Sequence, residues 1–113
     1  MRERLTKLID EIALKINSNP RYREVFRGWD IVAQVETDEG GKLYIHVSEN
    51  GLRIEKGVHP SPNLVLRASE EVLEKILSGE MSEVKAFFTG KIKVKGDLAL
   101  AERLYRKIKS LAS

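Results

Sequence analysis

Three features of this sequence predict an α+β fold, with helices covering one face of a five-stranded, mostly antiparallel sheet. Near the start, Leu5, Leu8, Ile9, Ile12, Ala13 and Ile16 recur at helical spacing, and near the end Leu98, Ala101, Leu104, Tyr105, Ile108 and Leu111 do the same. Between Trp29 and Glu55 the period drops to two, the mark of strands. Short glycine turns at Asp38–Gly41 and Asn50–Gly51 join those strands as hairpins, so consecutive strands run antiparallel.

At 113 residues the chain is long enough for one hydrophobic core and too short for two, so residues 1–113 are read as a single domain. With no cysteine, the fold cannot use disulfides, thiolate metal sites or thiol nucleophiles, and a cytoplasmic setting is expected. No apolar run reaches the roughly 18 residues of a membrane span. Charged residues make up 33% of the chain with both signs interspersed, and the net charge is only +3, so nucleic acid is not an expected partner. The Arg21–Arg27 segment, with Tyr22 and Phe26, reads as a short helix with a solvated face rather than as a base-stacking platform.

The elements follow in order. The first helix, over residues 2–17, ends at Asn17-Ser-Asn-Pro20, and Asn19 with Pro20 is placed to start a short second helix that closes at Gly28. Ile31, Ala33 and Val35 alternate with Val32, Gln34 and Glu36 as a half-buried strand; Leu43, Ile45 and Val47, then Leu52 and Ile54, make two more. Gly57-Val-His-Pro-Ser-Pro62 cannot continue a strand and carries the chain across the sheet to a fourth, Leu64–Ala68. Ser69 caps a helix expected to bury Val72, Leu73, Ile76 and Leu77 and to end at Gly79. A shorter helix over Ser82–Phe88 leads through Gly90 into a fifth strand, Lys91–Lys95. Asp97 caps the last helix, roughly 22 Å long and able to cross most of a small sheet.

The stretch from Leu77 to Leu104 resembles the sterol carrier protein 2 (SCP-2-like) lipid-binding domains. The resemblance lies in Leu77-Ser-Gly79, Lys85-Ala-Phe-Phe88, Gly90-Lys-Ile-Lys-Val-Lys-Gly-Asp97 and Leu98-Ala-Leu-Ala101 with Leu104. The hairpin at Asp38–Gly41 and the strand from Pro62-Asn63 into Leu-Val-Leu are similar as well, so the likeness covers most of the chain. It implies an apolar tunnel between sheet and helices that holds a lipid or fatty acyl chain without covalent chemistry, opening at the last helix. The family often has Asn-Pro-Gln where this chain has Ser82-Glu83-Val84, and Gln where it has Thr89, so two polar groups at the tunnel mouth are absent or shortened. That departure argues against a fixed sterol preference.

Phe26, Trp29, Val84, Phe87, Phe88, Ile92, Leu104 and Ile108 are the candidate ligand-binding residues, since lipid pockets are walled mainly by apolar side chains. The same residues could equally fill a core, and sequence alone leaves both readings open. Lys91, Lys93 and Lys95 share one face of their strand, either as a solvated face that guards an edge or as a contact for an anionic membrane surface. His46 and His59 lie on a polar strand face and in the crossover, without metal-ligand spacing. There is no phosphate loop, His-Glu-x-x-His helix or nucleophile elbow, so neither an enzyme nor a cofactor is expected. The alternative is an accessory module with a filled tunnel that serves a partner protein.

Overall fold

The computed structural model describes residues 1–112. The elements are α1 (Glu3–Asn17), α2 (Tyr22–Val25), β1 (Asp30–Thr37), β2 (Lys42–Ser48), β3 (Gly51–Lys56), β4 (Leu64–Ala68), α3 (Glu70–Leu77), α4 (Glu83–Phe88), β5 (Ile92–Gly96) and α5 (Leu98–Ala112). The five strands form one sheet in the order β3-β2-β1-β4-β5, which matches the expected α+β class. β1–β2, β2–β3 and β4–β5 are antiparallel, and β1–β4 is parallel.

Register puts Ala33 beside both Ile45 and Leu64, and Leu66 beside both Val35 and Val94, so these side chains share one face of the sheet. On that face a core forms from Ala33, Val47 and Leu64 with Ile16 of α1, Tyr22 of α2, Phe26, and Leu104 and Leu111 of α5. Local chemistry starts three of the helices, α3, α4 and α5, as the residue types require. Ser69 accepts from the Val72 amide at 3.1 Å, Ser82 from Lys85 at 3.3 Å and Asp97 from Leu100 at 3.1 Å. Asn19 accepts from the Arg21 amide at 2.9 Å, so it shapes a turn before α2, which begins two residues later than Pro20 suggested. Tyr22 donates to the Ser48 carbonyl at 2.6 Å, and its burial pushes the phenol up to about 12.

β1 departs from the half-buried reading. Val32, Ala33, Gln34 and Val35 are all buried, because the crossover between β3 and β4 lies against the face opposite the helices. Gln34 holds it there: its amide donates to the Leu43 and Gly57 carbonyls at 3.0 and 2.9 Å, and its carbonyl accepts from the His59 amide at 2.8 Å. The His59 ring meets Tyr44 edge-on with centroids 5.1 Å apart. Asn63 then joins β1 through two bonds to Val32, donating its amide to the carbonyl and accepting from the amide, both at 2.9 Å. On the other side of β4, Gly96 has φ +106°, and a Cβ there would stand 2.5 Å from the Asn63 carbonyl. Only glycine allows that approach.

Replacing Gln34 with leucine leaves one buried amide and two carbonyls short of a partner. Gln34→Leu is expected to cost about 2 kcal/mol of stability, read as a lower denaturant midpoint in urea titration with an unchanged slope.

Candidate functional site

The packed core cluster lies at one end of the helix-covered face of the sheet, and half-buried apolar side chains lie at the other. The core cluster takes in the starts of β1, β3 and β4, the end of β2, and residues of α1, α2 and α5. At the other end stand Leu66 on β4, Ile92 and Val94 on β5, and Val72, Leu73, Ile76 and Leu77 on α3. All seven are apolar and only half-buried. α3 was expected to bury its four apolar residues, but the buried residues on this helix are Glu70 and Glu74. The cause lies at the start of the chain. The Arg2 guanidinium donates to Glu74 at 2.8 Å, the Arg2 amide donates to Glu70, and the Glu70 amide donates to Glu39. These contacts draw the carboxylate side of α3 toward α1, its main packing partner, and leave its apolar stripe half open.

A cleft of about 300 Å³ opens where β4 passes into α3, lined by Asp38, Arg67, Ala68, Ser69, Val72, Gly90, Lys91 and Lys93. Ala68 and Val72 give it an apolar floor, while three cations against one carboxylate give it a basic rim. Arg67 lies 3.5 Å from Asp38, which leaves Lys91 and Lys93 as the unopposed charges of the rim. Sequence reading did not single out Arg67 as a site residue; its cross-strand pairing with Lys93 shows only once β4 and β5 are in register.

α4 packs on β5 through the buried Ala86 and is tethered to α5. The Tyr105 hydroxyl donates to the Glu83 carboxylate, and Lys109 lies 4.0 Å from the same oxygen. Burial works to raise the Glu83 carboxyl, but the Tyr105 hydrogen bond, the backbone and the Lys109 charge outweigh it and hold the group below its ordinary value. Burial and the bond to Glu83 raise the Tyr105 phenol in turn.

The eight residues singled out from sequence fall into two groups. Phe26 and Leu104 belong to the packed core, with Trp29 and Ile108 against it. The Phe26 and Trp29 rings meet edge-on at 5.4 Å, and Lys107 lies over Trp29 at 5.3 Å while donating to the Val25 carbonyl at 2.8 Å. Ile92 sits half-buried at the open end, and Val84, Phe87 and Phe88 project from α4 into solvent.

His46 bonds Asp30 at 2.5 Å and Arg53 at 3.2 Å, and the His59 Nδ1 accepts from the Ser61 amide. Among the described residues, no group of three or more acidic, histidine or cysteine side chains could hold a metal ion. No helix among them is long and apolar enough to cross a membrane.

Comparison with known proteins agrees with this geometry. The family model described as the SCP-2 sterol transfer family matches residues 9–109. Hydroxysteroid dehydrogenase-like protein 2 of Rattus norvegicus is 33% identical over 85 residues, which cover 72% of this chain and 16% of that protein. The chain therefore corresponds to a small part of the relative's length. Among solved structures, palmitated SCP2L2 of Aedes aegypti has a TM-score of 0.72 at 23% identity, covering 96% of this chain and 95% of that one. Apo sterol carrier protein 2 of Yarrowia lipolytica has a TM-score of 0.69 at 19% identity, covering 100% and 97%.

A carboxyl held low in the folded state stabilises the fold above its unfolded pKa and loses that contribution as pH falls through the folded value. Wild type is therefore expected to exceed Glu83→Gln in stability at neutral pH, with the gap closing below the ordinary carboxyl value of 4.5. Denaturant titrations of both proteins across the acid range check this, and a gap independent of pH would refute the tether.

Proposed function

The chain belongs to the SCP-2 sterol transfer family, and on that premise we propose that it binds and transfers lipid without covalent chemistry. One acyl, isoprenoid or sterol-like chain lies between the helices and the β4–β5 half of the sheet. The observation that carries this reading is the half-burial of Leu66, Val72, Leu73, Ile76, Leu77, Ile92 and Val94, apolar side chains that lie outside the packed core cluster. Burial of apolar area contributes about 25 cal/mol per Å², so an alkyl chain seated there supplies stabilisation the empty protein lacks. Ile92 contributes to the wall, Phe87, Phe88 and Val84 flank its opening, and Phe26, Trp29, Leu104 and Ile108 close the packed end. The basic rim of Arg67, Lys91 and Lys93 suits an amphiphile with an anionic head, such as a fatty acid. The relative named for palmitate has the same fold, which favours this class. The domain works in the cytoplasm.

A second reading is an accessory module that serves a lipid-handling partner protein. It is supported by the Rattus norvegicus relative, in which the matching segment is 16% of the chain. Native mass spectrometry of the purified protein separates the two: a co-purifying lipid supports transfer, and an empty protein found only with a partner supports the accessory role.

Two outcomes test lipid binding directly. Palmitate at a hundredfold excess over its Kd adds about 2.7 kcal/mol of apparent stability, a rise on the order of 10 °C in Tm for a domain of this size. Leu66→Trp fills the open end, and is expected to lower palmitate affinity at least tenfold without lowering Tm. Unchanged palmitate affinity in that variant would show that the chain binds elsewhere.

A further inference from the structure

Seven large apolar side chains are exposed among the described residues, and four of them, Val84, Phe87, Phe88 and Leu98, lie within 15 positions of one another around α4 and the start of α5. Phe88 is 80% exposed. The two phenylalanine rings meet edge-on with centroids 5.7 Å apart, forming one apolar projection rather than two scattered residues. Single exposed apolar residues are ordinary, whereas a cluster marks a contact surface. α4 is a built element, capped by Ser82, anchored inward through Ala86 and tied to α5 by Glu83 and Tyr105. Its outward face carries the aromatics.

Lysines flank this projection: Lys85 lies on α4 and Lys91 follows it, its amide bonded to the Ala86 carbonyl, while Glu83 at the start of α4 is held by Tyr105 and Lys109. From Val84 to Gly96 the chain holds Lys85, Lys91, Lys93 and Lys95 and no acidic residue. None of these four lysines forms an ion pair among the described residues. We propose that α4 docks this protein on an anionic lipid bilayer, with Phe87 and Phe88 entering the interface and Lys85 and Lys91 meeting the headgroups. Aromatic residues favour that interface, and each nearby basic residue adds attraction to anionic lipid. A second copy of the chain suits the patch poorly, since a two-fold contact would set lysines against lysines. Lys91 also lines the cleft, so a docked α4 brings that opening to the membrane surface. The inference takes its purpose from the lipid-binding reading but is tested apart from it.

The experiment is sedimentation with vesicles of phosphatidylcholine alone or mixed with phosphatidylglycerol. Wild type is expected to bind the mixed vesicles, less so as salt is raised, and the neutral ones weakly. Phe88→Ser is expected to lower partitioning roughly tenfold, and Lys85→Glu with Lys91→Glu by at least as much. Phe88→Trp retains binding, and circular dichroism confirms that each variant is folded. Leu66→Trp, deficient in palmitate uptake, is expected to bind vesicles like wild type. Should it take up palmitate normally while vesicle binding still depends on Phe88, the lipid-binding site is misplaced and the docking surface stands. Equal vesicle binding by wild type, Phe88→Ser and the double lysine variant would overturn the proposal. So would a wild-type dimer that Phe88→Ser dissolves while neither protein binds vesicles.

Discussion

The parallel pairing of β1 with β4 is the constraint on which the rest of this fold depends. Antiparallel neighbours can be joined by two-residue turns, but a parallel pair needs the chain to travel the length of the sheet and return. Here the return is made by a segment without regular structure, Gly57–Asn63, whose amides and carbonyls need partners if it is to lie against the sheet. Gln34 supplies two of those bonds from the centre of β1, to the Gly57 carbonyl and the His59 amide, and Asn63 ties the segment to Val32 at the strand's entry. With β4 fixed, β5 can take the outer position only if its last residue lacks a side chain, which Gly96 satisfies.

From this frame follows the uneven burial of the apolar side chains. The three-stranded meander is closed by α1, α2 and α5 and packs in the ordinary way, with Phe26, Ile16 and Leu111 removed from solvent. The two strands on the far side of the parallel junction, β4 and β5, meet helices that are held by polar contacts instead. α3 is pulled toward α1 by Arg2, and α4 is leashed to α5 by Glu83 and Tyr105. Polar tethers fix position without requiring that the apolar faces meet. Space between those faces is therefore compatible with a stable fold.

Much of the fold could be read from local chemistry. The strand alternation, the Asp38–Gly41 and Asn50–Gly51 turns, and the caps at Ser69 and Asp97 act within a few residues, and each element formed where these signals stood. Features that depend on distant partners were not legible in this way. The burial of Glu70 is decided by a residue 68 positions away, and a rule that places carboxylates outside has no means of knowing it. Gln34 reads as the polar member of an alternating strand, and its role appears only when the crossover lies against it. The candidate site shows the same division. Phe26 and Phe88 are equally apolar in sequence, yet one is wholly enclosed and the other stands in water.

Trp29 is the only tryptophan in the chain, and its surroundings give it an optical consequence. Its indole rests edge-on against Phe26, with Lys107 at 5.3 Å and the Arg103 guanidinium at 6.0 Å, both cations reaching over from α5. An excited indole is sensitive to nearby charge. Any displacement of α5 takes those two charges away together, so the intrinsic fluorescence of the protein registers the position of its last helix without a label.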